Sequence, residues 1–219
     1  MKKIVLTRDQ IYEREKQAYE KFCIPPLILM ENAGIKLAVE ARRIMKNNKK
    51  GKIVVLAGPG NNGGDGMVAA RHLYCSGYRV VVLFTFDAEK IKEPSFTNYK
   101  ILVKMKLMCK KVESEKINSE LKDSELIIDA IFGIGLTRQV EGIEKDLILS
   151  VNQAGKYVIS ADIPSGIDAD SGEIYGAAVK ANSTVTFGFG KKGLKTEKGK
   201  YYAGKVKIVD IGFPPELYF

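Results

Sequence analysis

Three loops of this 219-residue chain combine residue types and spacings that suit chemistry on an anionic ligand. The first is Gly58-Pro59-Gly60-Asn61-Asn62-Gly63-Gly64-Asp65-Gly66, with five glycines in nine residues. Gly58, Gly60 and Gly63 fit the G-x-G-x-x-G spacing of dinucleotide-binding turns. Such glycines let backbone approach a ligand closely, and free N–H groups at the start of a helix face an anion. Gly64 stands where a P-loop needs lysine, so that motif is excluded. A turn that needs glycine or asparagine for positive φ alone would rarely use so many. Asp87, near the end of the next expected strand, is placed where an acid could hold a ribose.

The second loop, Asp129-Ala130-Ile131-Phe132-Gly133-Ile134-Gly135-Leu136, opens with a carboxylate at the end of an apolar strand. Burial there costs free energy unless the carboxylate is paired, hydrogen-bonded or bound to a cation. Capping a helix or pairing with a lysine are its plainer roles. The third loop runs from Ser160 through Asp162-Ile163-Pro164-Ser165-Gly166-Ile167-Asp168 to Gly172. It sets Asp162 at a strand end, with Ser165 three residues on. Its Asp/Ser/Gly content also suits an ordinary loop. Together the two acidic loops offer carboxylate, hydroxyl and amide oxygens around an anion-binding turn. The single histidine, His72, falls in the helix after the glycine loop and reads as helix surface or packing. A Ser-His-Asp triad and a histidine-based metal site are therefore poorly supported. Glu31-Asn32 interrupts an apolar helix, where helix–helix hydrogen bonding and a functional site are both open readings.

The elements that must position these loops follow from periodicity. Thr7-Arg8-Asp9-Gln10 is a capping-box pattern opening a helix with Ile11, Ala18, Tyr19 and Phe22 on one period. Pro25-Pro26 ends it and starts a second, where Met30, Ala33, Leu37, Ala41 and Met45 repeat. Strands are expected at 52–57, 79–84, 126–131, 157–161, 183–187 and 205–209, with helices at 67–76, about 95–109 and 143–153. Strands alternating with helices imply a mostly parallel sheet with helices on both faces, an α/β fold with two extra N-terminal helices. Ligands of such sheets bind beyond the carboxyl ends of the strands, where all three loops fall.

Composition narrows the class. Residues 1–219 form one domain, since no repeat or Pro/Ser-rich linker divides them. No apolar run approaches the roughly 20 residues of a membrane span, and the N-terminus lacks a signal-peptide core, so a cytoplasmic protein is expected. Cys23, Cys75 and Cys109 have no metal-ligand spacing and read as reduced, structural thiols. The net charge of +9 suits a phosphorylated ligand, but the lysines, as at 46–52 and 191–207, are not interleaved with aromatics for nucleic-acid stacking. They read as a solvated surface.

Taken in order, Leu29-Met30-Glu31-Asn32-Ala33-Gly34, the 58–66 loop, Asp129 to Gly133, Asp162 to Asp168, Thr186-Phe187-Gly188, Lys191 and Asp210-Ile211-Gly212 resemble the NAD(P)H-hydrate epimerase family. The resemblance spans nearly the whole chain, and four ordered motifs are specific where one glycine loop is not. It implies a three-layer α/β/α sandwich, often dimeric through the N-terminal helices. It also implies that Asn61, Asn62, Gly63, Gly64 and Asp65 bind a hydrated nicotinamide cofactor, together with Gly133, Ile134, Gly135, Leu136, Thr137, Arg138 and Gln139. Asp162 would lie at the reacting ring, and Asn62, Asp129 and Ser165 would hold a potassium ion. Many relatives have proline before the lysine matching Lys191, where this chain has Gly190, which loosens the carry-over of Lys191 as a catalytic residue. The chain ends at Phe219 without the dehydratase half of bifunctional relatives, so a separate NAD(P)H-hydrate dehydratase is expected to act in the same pathway.

On that resemblance the substrate is a reduced nicotinamide hydrated at C6, NADH or NADPH, and the reaction interconverts its R and S epimers. The hemiaminal carbon can lose hydroxide to an iminium or open to an aldehyde, and either route moves a proton at that oxygen. Asp162 is the candidate acid-base group. An NAD-dependent Rossmann dehydrogenase would use the glycine loop and Asp87 but leaves Asp129 and Asp162 without a role. A non-catalytic binding module of the same fold would be expected to lack Asn62, Asp129, Asp162 or Ser165.

Overall fold

The computed structural model describes residues 4–46 and 48–219. A short strand β1 (Val5–Leu6) leads into α1 (Arg8–Phe22), whose capping box is formed as the spacing predicts. Thr7 Oγ1 accepts from the Gln10 N–H at 3.2 Å, and the Thr7 N–H donates to Gln10 Oε1 at 2.9 Å. Cys23, in the left-handed region, ends α1, and Pro26 is the first residue of α2 (Pro26–Met45). The alternating part then begins: β2 (Lys52–Ala57), α3 (Asn61–Cys75), β3 (Arg79–Phe84), α4 (Ser95–Lys104), β4 (Met108–Lys111), α5 (Ile117–Lys122) and β5 (Ser124–Ala130). After α6 (Gly142–Gln153) come β6 (Tyr157–Ala161), β7 (Ser183–Phe187), β8 (Gly190–Lys191), α7 (Glu197–Ala203) and β9 (Lys205–Val209).

Seven strands form one sheet in the order β4-β3-β2-β5-β6-β7-β9, every pairing parallel. Side-chain alternation builds the layers. In β2, Ile53, Val55 and Ala57 enter a core shared with α2 and α3, while Val54 and Leu56 enter a second core with α5 and α6. The result is the expected three-layer α/β/α sandwich. The strand order reverses between β2 and β5, the place where open parallel sheets take their ligands. Outside that sheet, β1 pairs with β8, setting Leu6 opposite Lys191. No helix among the described residues is long and apolar enough to cross a membrane.

Several sequence expectations need correction. Residues 61–66 are not part of a turn: α3 starts at Asn61, so its first turns are built from the Asn/Gly run itself. The 95–109 helix stops at Lys104, and Met108–Lys111 become an edge strand. Lys106, at positive φ, makes the break. Strands β1, β4 and β8 and helices α5 and α7 escaped the pattern because each is at most seven residues long. Cys23 and Cys75 are exposed, not packed as small hydrophobes, and all three thiols are free. Two lysines assigned to a solvated surface are buried: Lys52, whose Nζ donates to Glu120 O at 2.7 Å, and Lys191. Asp87 is paired with Lys111 at 2.6 Å, and it is not among the residues that line the cavity described next.

Candidate active site

A cavity of about 780 Å³ opens at the carboxyl edge where β2 and β5 diverge. That volume suits a nucleotide-sized ligand. Six regions wall it: Pro59 to Asn62 with Asp65, Ile131 to Arg138, the Asp162–Phe187–Lys191 corner, the α1 face carrying Ile11, Tyr12, Glu15, Lys16 and Tyr19, the start of α2, and Ile211 with Phe213.

The glycine loop is shaped by close packing. A Cβ on Gly58 would stand 1.8 Å from Ile131 O, and one on Gly63 would stand 1.8 Å from Gly58 O. Neither neighbour is a flexible side chain, so both positions admit glycine alone. The β2–α3 turn is thereby pressed against the segment after β5, and the start of α3, Asn61 and Asn62, lines the cavity. Gly63 and Gly64 lie beneath its surface, while Asn61, Asn62 and Asp65 reach it. Gly133, Ile134, Gly135, Leu136, Thr137 and Arg138 also line it, but Gln139 does not.

Asp129, within β5 rather than at its last residue, is fully buried. Burial pushes its carboxyl up, and hydrogen bonds from Ser165 and Ser160 oppose that. Ser160 Oγ donates to Oδ2 at 2.7 Å, the Ser165 N–H donates to Oδ2 at 2.9 Å, and Ser165 Oγ donates to Oδ1. The Phe132 N–H donates to Ser165 Oγ at 2.8 Å, and Asn62 Nδ2 donates to Phe132 O at 3.0 Å. Asn62, Asp129 and Ser165 therefore meet around the Phe132 peptide. Asn62 Oδ1 is buried there with no hydrogen-bond partner. An orphaned oxygen beside a carboxylate, a hydroxyl and a carbonyl is the donor set of a hard cation. The three residues thus fit a potassium ion.

Asp162 sits at φ +62°, with its N–H bonded to Val185 O at 2.7 Å. All its carboxylate hydrogen bonds fall on Oδ1: from Lys191 Nζ, from the Phe187 N–H at 3.0 Å and from Thr186 Oγ1 at 3.3 Å. Oδ2 takes none among the described residues, in a side chain that lines the cavity. The Lys191 ammonium is 1% exposed and also donates to Phe187 O at 3.2 Å and Phe189 O at 3.1 Å. Its three protons are all committed. Lys191 thus orients Asp162 and balances its charge.

Glu15 is the site residue that sequence reasoning missed. Its signal was faint: Ile11, Glu15 and Tyr19 form an i, i+4, i+8 row, placing a carboxyl on a largely apolar stripe. Burial, then the neighbouring Asp162 carboxylate, push it up to about 7, with Lys191 opposing. Asp65 rises well above the usual carboxylate range, from burial first and then from Asp162 and Glu15. Tyr12, with its hydroxyl beside Gly135, is raised by burial and then by Glu15. The Glu31-Asn32 pair resolves to helix packing. Glu31 holds Arg71 and, at 2.8 Å, His72, while Asn32 Nδ2 donates to Ile211 O at 2.7 Å.

The glycine turn and the two acidic loops thus converge on one cavity at the topological switch of a parallel α/β sandwich. The chain belongs to the YjeF-related protein N-terminus family, whose model matches residues 26–193. It is 40% identical over 205 residues to an NAD(P)H-hydrate epimerase of Limosilactobacillus fermentum, covering 94% of this chain and 95% of that one. It is 37% identical over 217 residues to a bifunctional NAD(P)H-hydrate repair enzyme of Dictyoglomus turgidum. That match covers 97% of this chain but 41% of the relative, so the chain spans about two-fifths of such bifunctional proteins. Crystalline yeast ynu0 shares the fold, with TM-score 0.81 and 24% identity over 97% of this chain and 91% of that one.

Proposed function

We propose that this protein is an NAD(P)H-hydrate epimerase, interconverting the R and S forms of NADH and NADPH hydrated at C6 of the nicotinamide ring. The observation that carries the reading is Asp162, whose saturated Oδ1 and unbonded Oδ2 present one carboxylate oxygen to a nucleotide-sized cavity. The α3 N-terminus with Asn61 and Asn62 binds the phosphates, and Gly133 to Arg138 cover the substrate from the β5 side. Asp162 Oδ2 moves the proton at the hemiaminal oxygen, a role worth roughly 10²–10⁴-fold. Asn62, Asp129, Ser165 and the Phe132 carbonyl hold potassium. The ion supplies positive charge that steadies the two acidic loops and offsets the buried Asp129 carboxylate. The enzyme works in the cytoplasm beside a dehydratase that consumes one epimer. It pairs as a homodimer through the exposed Tyr19, Leu27 and Ile28 of α1 and α2. Light scattering at micromolar concentration checks the dimer, and a monomer mass refutes it.

The test is incubation with one pure epimer of hydrated NADH in potassium buffer, with the partner epimer followed by chromatography. Conversion well above the spontaneous rate is expected. Conversion at the spontaneous rate by folded protein refutes the reading, and stoichiometric NADH formation from an oxidisable substrate would favour a dehydrogenase.

A further inference from the structure

Inversion at a hemiaminal carbon needs one group to give a proton to the departing hydroxyl and another to take a proton from water arriving on the other face. Asp162 alone, fixed by Lys191 on one wall, serves one face. The α1 wall carries a second carboxyl, Glu15, that lines the same cavity and makes no hydrogen bond or ion pair among the described residues. The other titratable groups that line the cavity are Tyr12, Lys16 and Tyr19 on its own helix, Asp65 on α3, Asp162 after β6, Lys191 on β8 and Arg138 after β5. Three carboxyls, Glu15, Asp65 and Asp162, thus share a cavity with one buried ammonium, already committed to Asp162. Like charges so placed cannot all ionise together.

Resting on the epimerase reading, we propose that Glu15, on the α1 wall, is a second proton-transfer residue that works with Asp162 in the cavity they share. In one direction the Glu15 carboxylic acid protonates the C6 hydroxyl. The C–O bond breaks with its electron pair leaving as water, and the ring nitrogen lone pair forms the iminium bond. Water then adds to C6 from the Asp162 side, its oxygen supplying the electron pair of the new bond, while Oδ2 takes its proton. The proton returns from Asp162 to Glu15 through solvent before the next turnover, and the reverse direction exchanges the roles. With its carboxyl held near 7, Glu15 can give and take a proton at neutral pH. Arg8 fixes this wall: its guanidinium is bonded to Asp168 and its N–H donates to Asp170 Oδ1 at 2.8 Å, so α1 is tied to the segment that carries Asp162.

The experiment compares wild type and Glu15→Gln over pH 5.5–9 under the epimerisation assay. Wild-type kcat, measured from the protonated-Glu15 direction, is expected to fall above pH about 7, because the acid form is lost there. Glu15→Gln should lower kcat about a hundredfold, leave KM within threefold and abolish that limb. A kcat within threefold of wild type, or a raised KM alone, overturns the proposal while the epimerase reading stands. A wild-type protein that does not epimerise overturns both. Independently of substrate, the Glu15 carboxyl of ¹³C-glutamate-labelled protein should titrate near 7 and move downward in Asp162→Asn. Titration near the usual 4.5 overturns the proposal.

Discussion

Replacing Asp162 with alanine tests the site through stability as well as turnover. The substitution strips the counterion from an ammonium that is 1% exposed and has two backbone carbonyls as its remaining acceptors. Breaking a buried pair by removing one partner costs about 3–5 kcal/mol. Alanine at φ +62° adds a further ~1 kcal/mol that aspartate and asparagine tolerate better. The total, about 4–6 kcal/mol, is a large share of the roughly 5–15 kcal/mol that holds an ordinary domain together. A loop-capping role alone would cost about 1 kcal/mol. Asp162→Asn removes the charge but keeps an acceptor for the Phe187 N–H, so a smaller loss of about 2 kcal/mol is expected. Asp162→Asn combined with Lys191→Met removes the stranded ammonium and should be more stable than Asp162→Asn alone. Urea unfolding followed by circular dichroism, with m held common, gives all the values. An alanine variant within about 1 kcal/mol of wild type, or a double variant showing simple additive loss, refutes the buried-pair argument. Turnover of Asp162→Asn, measured where it is fully folded, should drop about a hundredfold with little change in substrate affinity.

Asp129→Asn should weaken potassium binding and lower epimerase activity at modest potassium, with partial recovery at high potassium. Equal wild-type activity in sodium and potassium would remove the cation from the mechanism. Gly63→Ala forces a methyl group to within 1.8 Å of Gly58 O, so binding of a nucleotide anion, read by calorimetry, should be lost along with several kcal/mol of stability. Unchanged binding would show that the turn has room the packing denies. Although burial raises the Asp168 carboxyl, hydrogen bonds from Ser171, Tyr175 and Asp170 pull it down to about 2 from the usual 3.8. Its contribution to stability is therefore present above pH about 4 and lost as pH falls through about 2. Asp168→Asn should flatten acid unfolding in that window, and a profile identical to wild type would refute the assignment.

The sheet was legible because its central strands carry apolar runs buried on both faces, as 53–57 and 126–128 do. The boundary of α3 was not, because glycine and asparagine read locally as turn formers. Tertiary packing at Gly58 and Gly63 overrides that preference and lets the helix begin at Asn61. Asp129 and Asp162 stood out as acids at the ends of apolar strands. Glu15 did not, because an acid in a Lys/Glu-rich helix looks solvated until the fold sets that helix over the cavity. Lys191 was named through the family resemblance, but its burial was hidden in the same way. Its neighbours Lys192 and Lys195 suggest a basic surface, whereas pairing of β8 with β1 turns Lys191 inward.

The segment from Ser160 to Ser171 explains why its composition misleads. Its polar residues bond in three different directions. Ser160 and Ser165 donate to Asp129, where Asn62 and the Phe132 peptide also meet. Asp162 is drawn to Lys191 and Phe187 at the reacting wall. Asp168 accepts from Ser171, Tyr175 and Arg8, holding the start of α1. The segment is thereby bonded to β5, to the Phe187–Lys191 corner and to the start of α1. Loss of the Arg8–Asp168 pair would free α1 and with it Glu15. Activity should therefore respond to Arg8→Ala, which touches no substrate, through kcat more than through KM. An Arg8→Ala variant with wild-type kcat would show that α1 holds its place without this anchor.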